Sequence, residues 1–120
     1  RTPMGSFQGD FASLAAHDLG GAAIAAAVAR AGIAPDAVTE VLFGNCLMAG
    51  QGQAPARQAA FKGGLPKSAG AVTLSKMCGS GMRAALQLDA TLQVAPSIQT
   101  TLFRTFEQCL ATGAFLAQHD

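Results

Sequence analysis

The segment Lys76-Met77-Cys78-Gly79-Ser80-Gly81-Met82-Arg83 carries the residue types best suited to chemistry in this 120-residue chain. A strand-like run ends, a cysteine follows, two glycines allow close backbone approach, and a helix-forming run begins. A thiol at such a turn faces the unpaired N–H groups and the positive dipole end of the following helix. That setting favours the nucleophilic thiolate. The same N–H groups can stabilise an oxyanion formed at a carbonyl carbon. A buried cysteine in a glycine-rich turn would give the same pattern, because a catalytic cysteine normally needs a base beside it. His17 and His119, the two histidines, lie in no motif.

Two other readings of the glycines fail on chemistry. Gly79-x-Gly81-x-x-Ala84 has the order of a dinucleotide-binding turn, but that fold needs an acidic residue about 20 positions on. Ile98-Gln99-Thr100-Thr101 stands there instead. Gly64-Leu65-Pro66-Lys67-Ser68 has the outline of a phosphate loop, yet Pro66 removes a required N–H. The remaining polar residues take structural expectations. Cys46 reads as core, Arg57 and Gln58 as ties between loops or to a partner, and Asn45 as a turn residue. His17 reads as a surface residue, and Ser80 as a cap for the helix after Cys78.

The elements that must position Cys78 follow from periodicity and punctuation. Ser13 is a candidate N-cap for a helix reaching Ala31, with Gly32 as its C-terminal stop. Val38 to Met48 reads as a buried strand. Pro55 suits a first helical turn, and that helix should end at Gly63-Gly64. Ala71 to Lys76 reads as a second strand, with Thr73 and Ser75 giving it one polar side. Met77 to Gly81 is the turn, and Met82 to about Leu92 is helical. Alternation of helices and strands indicates an α/β fold. Two strands are too few for a stable sheet, so further strands are expected before Arg1 and after Leu92.

Composition agrees. Only 12% of the residues are charged and 50% are hydrophobic, against roughly 25% charged in an ordinary soluble domain. A surface so poor in charge fits a piece covered by other protein. A net charge of +1, no Trp or Tyr and no basic cluster argue against nucleic-acid binding. No apolar run reaches the roughly 18 residues that span a bilayer. Three cysteines at irregular spacing form neither a disulfide framework nor a metal-binding pair, which points to a reducing compartment.

Four blocks in order carry a family resemblance: Arg1-Thr2-Pro3-Met4-Gly5-Ser6-Phe7 with Gly9; Leu19-Gly20 with Arg30-Ala31-Gly32-Ile33 and Pro35; Gly44-Asn45-Cys46 with Gly50-Gln51-Gly52-Gln53-Ala54-Pro55-Ala56-Arg57-Gln58-Ala59-Ala60; and Met77-Cys78-Gly79-Ser80-Gly81. Together they resemble the N-terminal segment of the thiolases, the acetyl-CoA acetyltransferases and 3-ketoacyl-CoA thiolases. The resemblance implies a layered αβαβα fold, of which this chain holds part of the N-terminal half. It implies that Cys78 is the nucleophile, taking the acyl group of a CoA thioester while its backbone N–H contributes to an oxyanion site. The acyl group then passes to CoA, or to the enolate of acetyl-CoA in a Claisen condensation.

The same resemblance implies acyl-CoA substrates, no bound cofactor, no metal, and a homo-oligomer (dimer or tetramer) at full length. The strand at Ala71 to Lys76 would lie near the dimer interface. Cytoplasm, or an organelle, is the implied location. The family blocks cover residues 1–86. Residues 87–120 read as a divergent tail whose apolar spacing from Gln99 to Gln118 allows an amphipathic helix. Absent from the sequence are the Gly-His-Pro block that holds the thiolase base and the Cys-x-Gly-Gly-x-Gly block that holds its second cysteine. The 120 residues alone are therefore expected to be inactive in turnover, the alternative being a non-catalytic fragment that associates with intact subunits.

Overall fold

A computed structural model describes residues 2–94, with side chains described through Thr91. The expected tail, beyond Val94, lies outside the described residues. In chain order the elements are α1 (Ala16–Ala31), a 3-10 turn (Pro35–Ala37), β1 (Glu40–Gly44), α2 (Pro55–Lys62), β2 (Gly70–Leu74) and α3 (Ser80–Val94). β1 and β2 pair in parallel, from Glu40 opposite Gly70 to Gly44 opposite Leu74. The α/β class read from the sequence is the fold observed, and α3 runs without a break across Leu86.

The faces of β1 define three layers. Successive strand residues point to opposite sides. Val41 and Phe43 join a buried cluster with Leu19, Ile24 and Val28 of α1 and Ala56, Ala59 and Ala60 of α2. Leu42 is equally buried but lies outside that cluster. Gly44 shares the side of Leu42 and abuts the first turn of α3. The sheet therefore lies between α1 with α2 on one side and α3 on the other. β1 is buried from Val41 to Gly44, as a parallel strand covered by helices on both faces should be.

Small residues bring α1 and α2 together. A Cβ on Gly20 would lie 2.8 Å from the Cβ of Ala59, and one on Gly21 would lie 2.5 Å from the Cβ of Lys62. This close approach accounts for Gly20 and Gly21 in α1.

Several features differ from the sequence reading: β2 ends at Leu74 and not Lys76, α3 begins at Ser80 and not Met82, and three further differences have a visible cause. α1 begins at Ala16, and Ser13 is not its cap. Asp18, in the first turn, reaches back and accepts a hydrogen bond from the Ala15 N–H at 3.0 Å, the reciprocal half of a capping box, while no side chain caps the first-turn N–H groups as Ser13 was expected to. β1 covers five residues rather than the eleven from Val38 to Met48, because the chain turns after Asn45 donates its N–H to the Leu74 carbonyl at 2.9 Å. Thr73, expected to face solvent or an interface, instead accepts a hydrogen bond from the Ala56 N–H at 2.9 Å. Its hydroxyl thus caps α2, whose own N-cap residue, Ala54, has no side-chain oxygen to offer.

Asp18 also pairs with Lys62 of α2. The Lys62 hydrogen bond, aided by the Ala15 N–H, holds the Asp18 carboxyl below its ordinary value of 3.8. A carboxyl depressed in the folded state stabilises the fold above its unfolded pKa. That contribution fades as pH falls through the lower folded value. Asp18→Asn keeps an oxygen for the Ala15 N–H but loses the charge paired with Lys62, and should cost about 0.5 kcal/mol at pH 7, the scale of a partly exposed ion pair. Thermal melts should show the deficit shrinking below pH 3.8. An unchanged gap down to full protonation would contradict the assignment.

Candidate functional site

The end of β2 delivers the chain into the turn at Cys78, and the start of α3 carries it away. Met77 has φ 44°, a left-handed conformation that is uncommon for a residue with a side chain. The turn is closed by the Gly79 N–H to the Lys76 carbonyl at 2.9 Å and the Ser80 N–H to the Met77 carbonyl at 3.1 Å. Gly79 then begins the helix, its carbonyl accepting the Arg83 N–H at 2.9 Å. Cys78 therefore sits two residues before the first turn of α3, and it is exposed. Its thiol makes no hydrogen bond and meets no side-chain base among the described residues. The turn presents the sulfur to incoming reagent rather than burying it.

The floor beneath this turn depends on Gly44. A Cβ there would lie 2.5 Å from the Gly81 nitrogen and 2.6 Å from the Ser80 carbonyl carbon. β1 and the N-terminal turn of α3 thus touch backbone to backbone, a contact open only to glycine. Cys46 lies just beyond it. It is not a residue of an apolar strand, because β1 has already ended at Gly44. Half-buried, its Sγ sits 2.7 Å from the Met77 carbonyl oxygen. Ser75 ties the same region by donating its hydroxyl to the Cys46 carbonyl at 3.0 Å.

Ser80 departs from expectation. Its hydroxyl does not cap α3. It points backward, accepting from the Lys76 N–H at 2.8 Å and donating to the Met77 carbonyl at 2.6 Å. The serine was visible ahead of a helix, but nothing in the sequence marked its partners as lying upstream.

The loop residues behave as ties. Arg57 donates to the Ala69 and Lys67 carbonyls, both at 2.9 Å, and its guanidinium stacks 4.7 Å from the Phe61 ring centroid. Gln58 donates to the Gln51 and Gln53 carbonyls at 3.1 and 2.5 Å. Asn45 and Gln51, both buried, bond to each other, with Asn45 Nδ2 2.5 Å from Gln51 Oε1. His17 is half-buried rather than fully on the surface and lines a small cleft with Phe43, Asn45 and Gln51. Cys78 is not part of that cleft. Among the described residues, no group of three or more acidic, histidine or cysteine side chains is arranged to hold a metal ion.

The turn and its supports fall within a stretch, residues 1–101, that matches the family "Thiolase, N-terminal domain". The chain belongs to the thiolase family. Thiolase relatives include the acetyl-CoA acetyltransferase of Paracoccus denitrificans, 53% identical over 83 residues, which are 69% of this chain and 21% of the relative. Acetyl-CoA acetyltransferase 2 of Arabidopsis thaliana is 51% identical over 94 residues, 78% of this chain and 23% of the relative. The mitochondrial acetyl-CoA acetyltransferase of Xenopus tropicalis is 58% identical over 83 residues, 69% of this chain and 20% of the relative. The chain spans about a fifth of the length of these curated thiolase relatives. No helix among the described residues is long and apolar enough to cross a membrane.

Proposed function

We propose that this chain is the nucleophile-bearing part of a thiolase-type acyltransferase acting on CoA thioesters, with Cys78 as the acyl acceptor. The observation that carries this reading is the exposed Cys78 thiol in a braced strand-to-helix turn inside the family match. The Cys78 thiol gives up its proton to water, the thiolate sulfur attacks the thioester carbonyl carbon, and the electron pair of the C=O moves onto oxygen. Collapse of that oxyanion breaks the bond between carbonyl carbon and CoA sulfur. CoA leaves as a thiolate and takes a proton from water, and the acyl group stays on Cys78. One thioester replaces another, so the exchange is close to thermoneutral and needs no cofactor. The acyl group then returns to a CoA thiol, or passes to an acetyl-CoA enolate with formation of a carbon–carbon bond.

The second half of that cycle needs a base to deprotonate CoA or acetyl-CoA. His17 lies in the cleft away from Cys78, and His119 falls outside the described residues. The chain by itself should therefore acylate once and stop. Mixed with acetyl-CoA, it is expected to release about one equivalent of CoA, the burst of a covalent intermediate. Cleavage of acetoacetyl-CoA should not exceed that given by a free thiol. No release of CoA would contradict the role of Cys78. Sustained cleavage well above free thiol would contradict the need for a base from elsewhere.

A homo-oligomer belongs to the same proposal on the strength of the family match, and so does a cytoplasmic or organellar location, since one relative is named mitochondrial. Exposed Met77, Met82 and Leu86 favour a second reading, in which this chain pairs with complete thiolase subunits through the α3 side. Co-purification with an intact acetyl-CoA acetyltransferase separates the two readings.

A further inference from the structure

Ser80 opens α3, yet its hydroxyl serves the chain before it. The residue is fully buried. Its oxygen accepts from the Lys76 N–H at 2.8 Å and donates to the Met77 carbonyl at 2.6 Å. The Ser80 N–H reaches the same carbonyl at 3.1 Å, and Cys46 Sγ approaches it at 2.7 Å while lying 3.8 Å from Ser80 Oγ. So much hydrogen bonding on one carbonyl is unusual in a turn, and the peptide it holds is the one that joins Met77 to Cys78.

That peptide bond is trans, as are all those described. In a planar trans unit the C=O and the N–H point in opposite directions. Anchoring the Met77 oxygen against the buried Ser80 hydroxyl therefore turns the Cys78 N–H away from it. The same anchor fixes the plane from which the Cys78 Cα and thiol project. It also holds Met77 at φ 44°, a conformation that a residue with a side chain leaves readily when nothing restrains it.

We infer that Ser80 is a positioning residue for Cys78: its hydroxyl locks the Met77–Cys78 peptide so that the thiol and the Cys78 N–H meet the same acyl carbonyl. The inference rests on the reading of Cys78 as acyl acceptor. It assigns to a buried hydroxyl a part in acyl transfer that no contact with substrate would reveal.

The test uses the whole chain. Ser80→Ala should slow CoA release from acetyl-CoA by about tenfold, less than the roughly hundredfold or more that outright removal of an oxyanion donor costs, because the Cys78 N–H is displaced and not deleted. Alkylation of Cys78 by iodoacetamide forms no oxyanion and should change by less than about twofold. Ser80→Thr keeps a hydroxyl and should recover most of the acylation rate. Amide hydrogen exchange gives a readout independent of acyl chemistry. In Ser80→Ala the Lys76 N–H should exchange about tenfold faster while the α1 amides stay protected.

An acylation rate unchanged in Ser80→Ala would overturn the inference. So would parallel loss of acylation and of α1 protection, which would mark Ser80 as a stability residue alone. If the unaltered chain takes up no acyl group, the reading of Cys78 fails. Exchange at Lys76 then decides by itself whether Ser80 holds the turn: faster exchange in Ser80→Ala supports the hold, and unchanged exchange overturns it.

Discussion

Cys78→Ala abolishes CoA release from acetyl-CoA, and Cys78→Ser reduces it by about a thousandfold or more, as expected when an enzyme loses its nucleophile. The reasoning is chemical before it is structural. A serine hydroxyl is almost wholly protonated at neutral pH, and the turn offers no base among its described neighbours to remove that proton. A cysteine is partly thiolate under the same conditions and intrinsically more nucleophilic. The substitution should leave the fold intact, because Cys78 is exposed and its thiol holds nothing in place. Thermal midpoints of wild type, Cys78→Ala and Cys78→Ser should therefore agree closely while the acylation rates differ by orders of magnitude. A Cys78→Ala chain that still releases CoA in a burst would move the nucleophile elsewhere, with Cys46 the first residue to examine.

The second large effect lies at Gly44. An added methyl there would sit 2.5 Å from the Gly81 nitrogen and 2.6 Å from the Ser80 carbonyl carbon. Both are backbone atoms in the first turn of α3, so no side chain can swing aside to make room. Gly44→Ala must push α3 away from β1 or distort the turn, at a cost of about 3 kcal/mol. That is a large share of the roughly 5–15 kcal/mol that holds an ordinary domain together. Displacement of Ser80 should also release the Met77 carbonyl, so acyl uptake should fall together with stability. Gly70→Ala is the matched control. A Cβ at Gly70 would find its nearest neighbour, Glu40 Cγ, at 3.7 Å, an ordinary contact. Urea unfolding should show the large loss for Gly44→Ala and a change within about 0.5 kcal/mol for Gly70→Ala. Equal effects would mean that the close approach of β1 and α3 is not what Gly44 provides.

The readable parts of this molecule were those specified locally. Gly32 ends α1 in a left-handed conformation, φ 65°, with its N–H shared between the Val28 and Ala29 carbonyls. Pro55 occupies the first turn of α2 as its missing N–H allows. The strand–turn–helix order around Cys78 followed from apolar runs separated by glycines. Arg57 and Gln58 proved to be ties between loops, as their types suggested.

What escaped the sequence was set by contacts between distant segments. Ser13 looked like a cap because hydroxyl residues favour that place, but the helix starts at Ala16, and Asp18 from inside the helix instead accepts the N–H of Ala15 just before it. Thr73 looked like a residue for solvent or an interface until α2 was packed across the sheet and needed a cap. Cys46 looked like core because apolar residues surround it in sequence. The turn after Asn45 carries it to the Met77 carbonyl, 31 positions away. Ser80 was legible as a residue before a helix, but the direction of its hydroxyl depends on the left-handed Met77. Gly44 could be seen as part of a motif, and only the packing of α3 shows what it is for.

Peptide mapping of the acyl group tests the central claim most directly. The chain is incubated with acetyl-CoA, quenched in acid to preserve thioesters, digested at low pH, and read by mass spectrometry. The expected result is one acetyl group on the peptide containing Cys78, removed by neutral hydroxylamine as a thioester should be. Acetylation of Cys46 in its place, equal acetylation of both, or no thioester at all would contradict the assignment of Cys78 as the acyl acceptor.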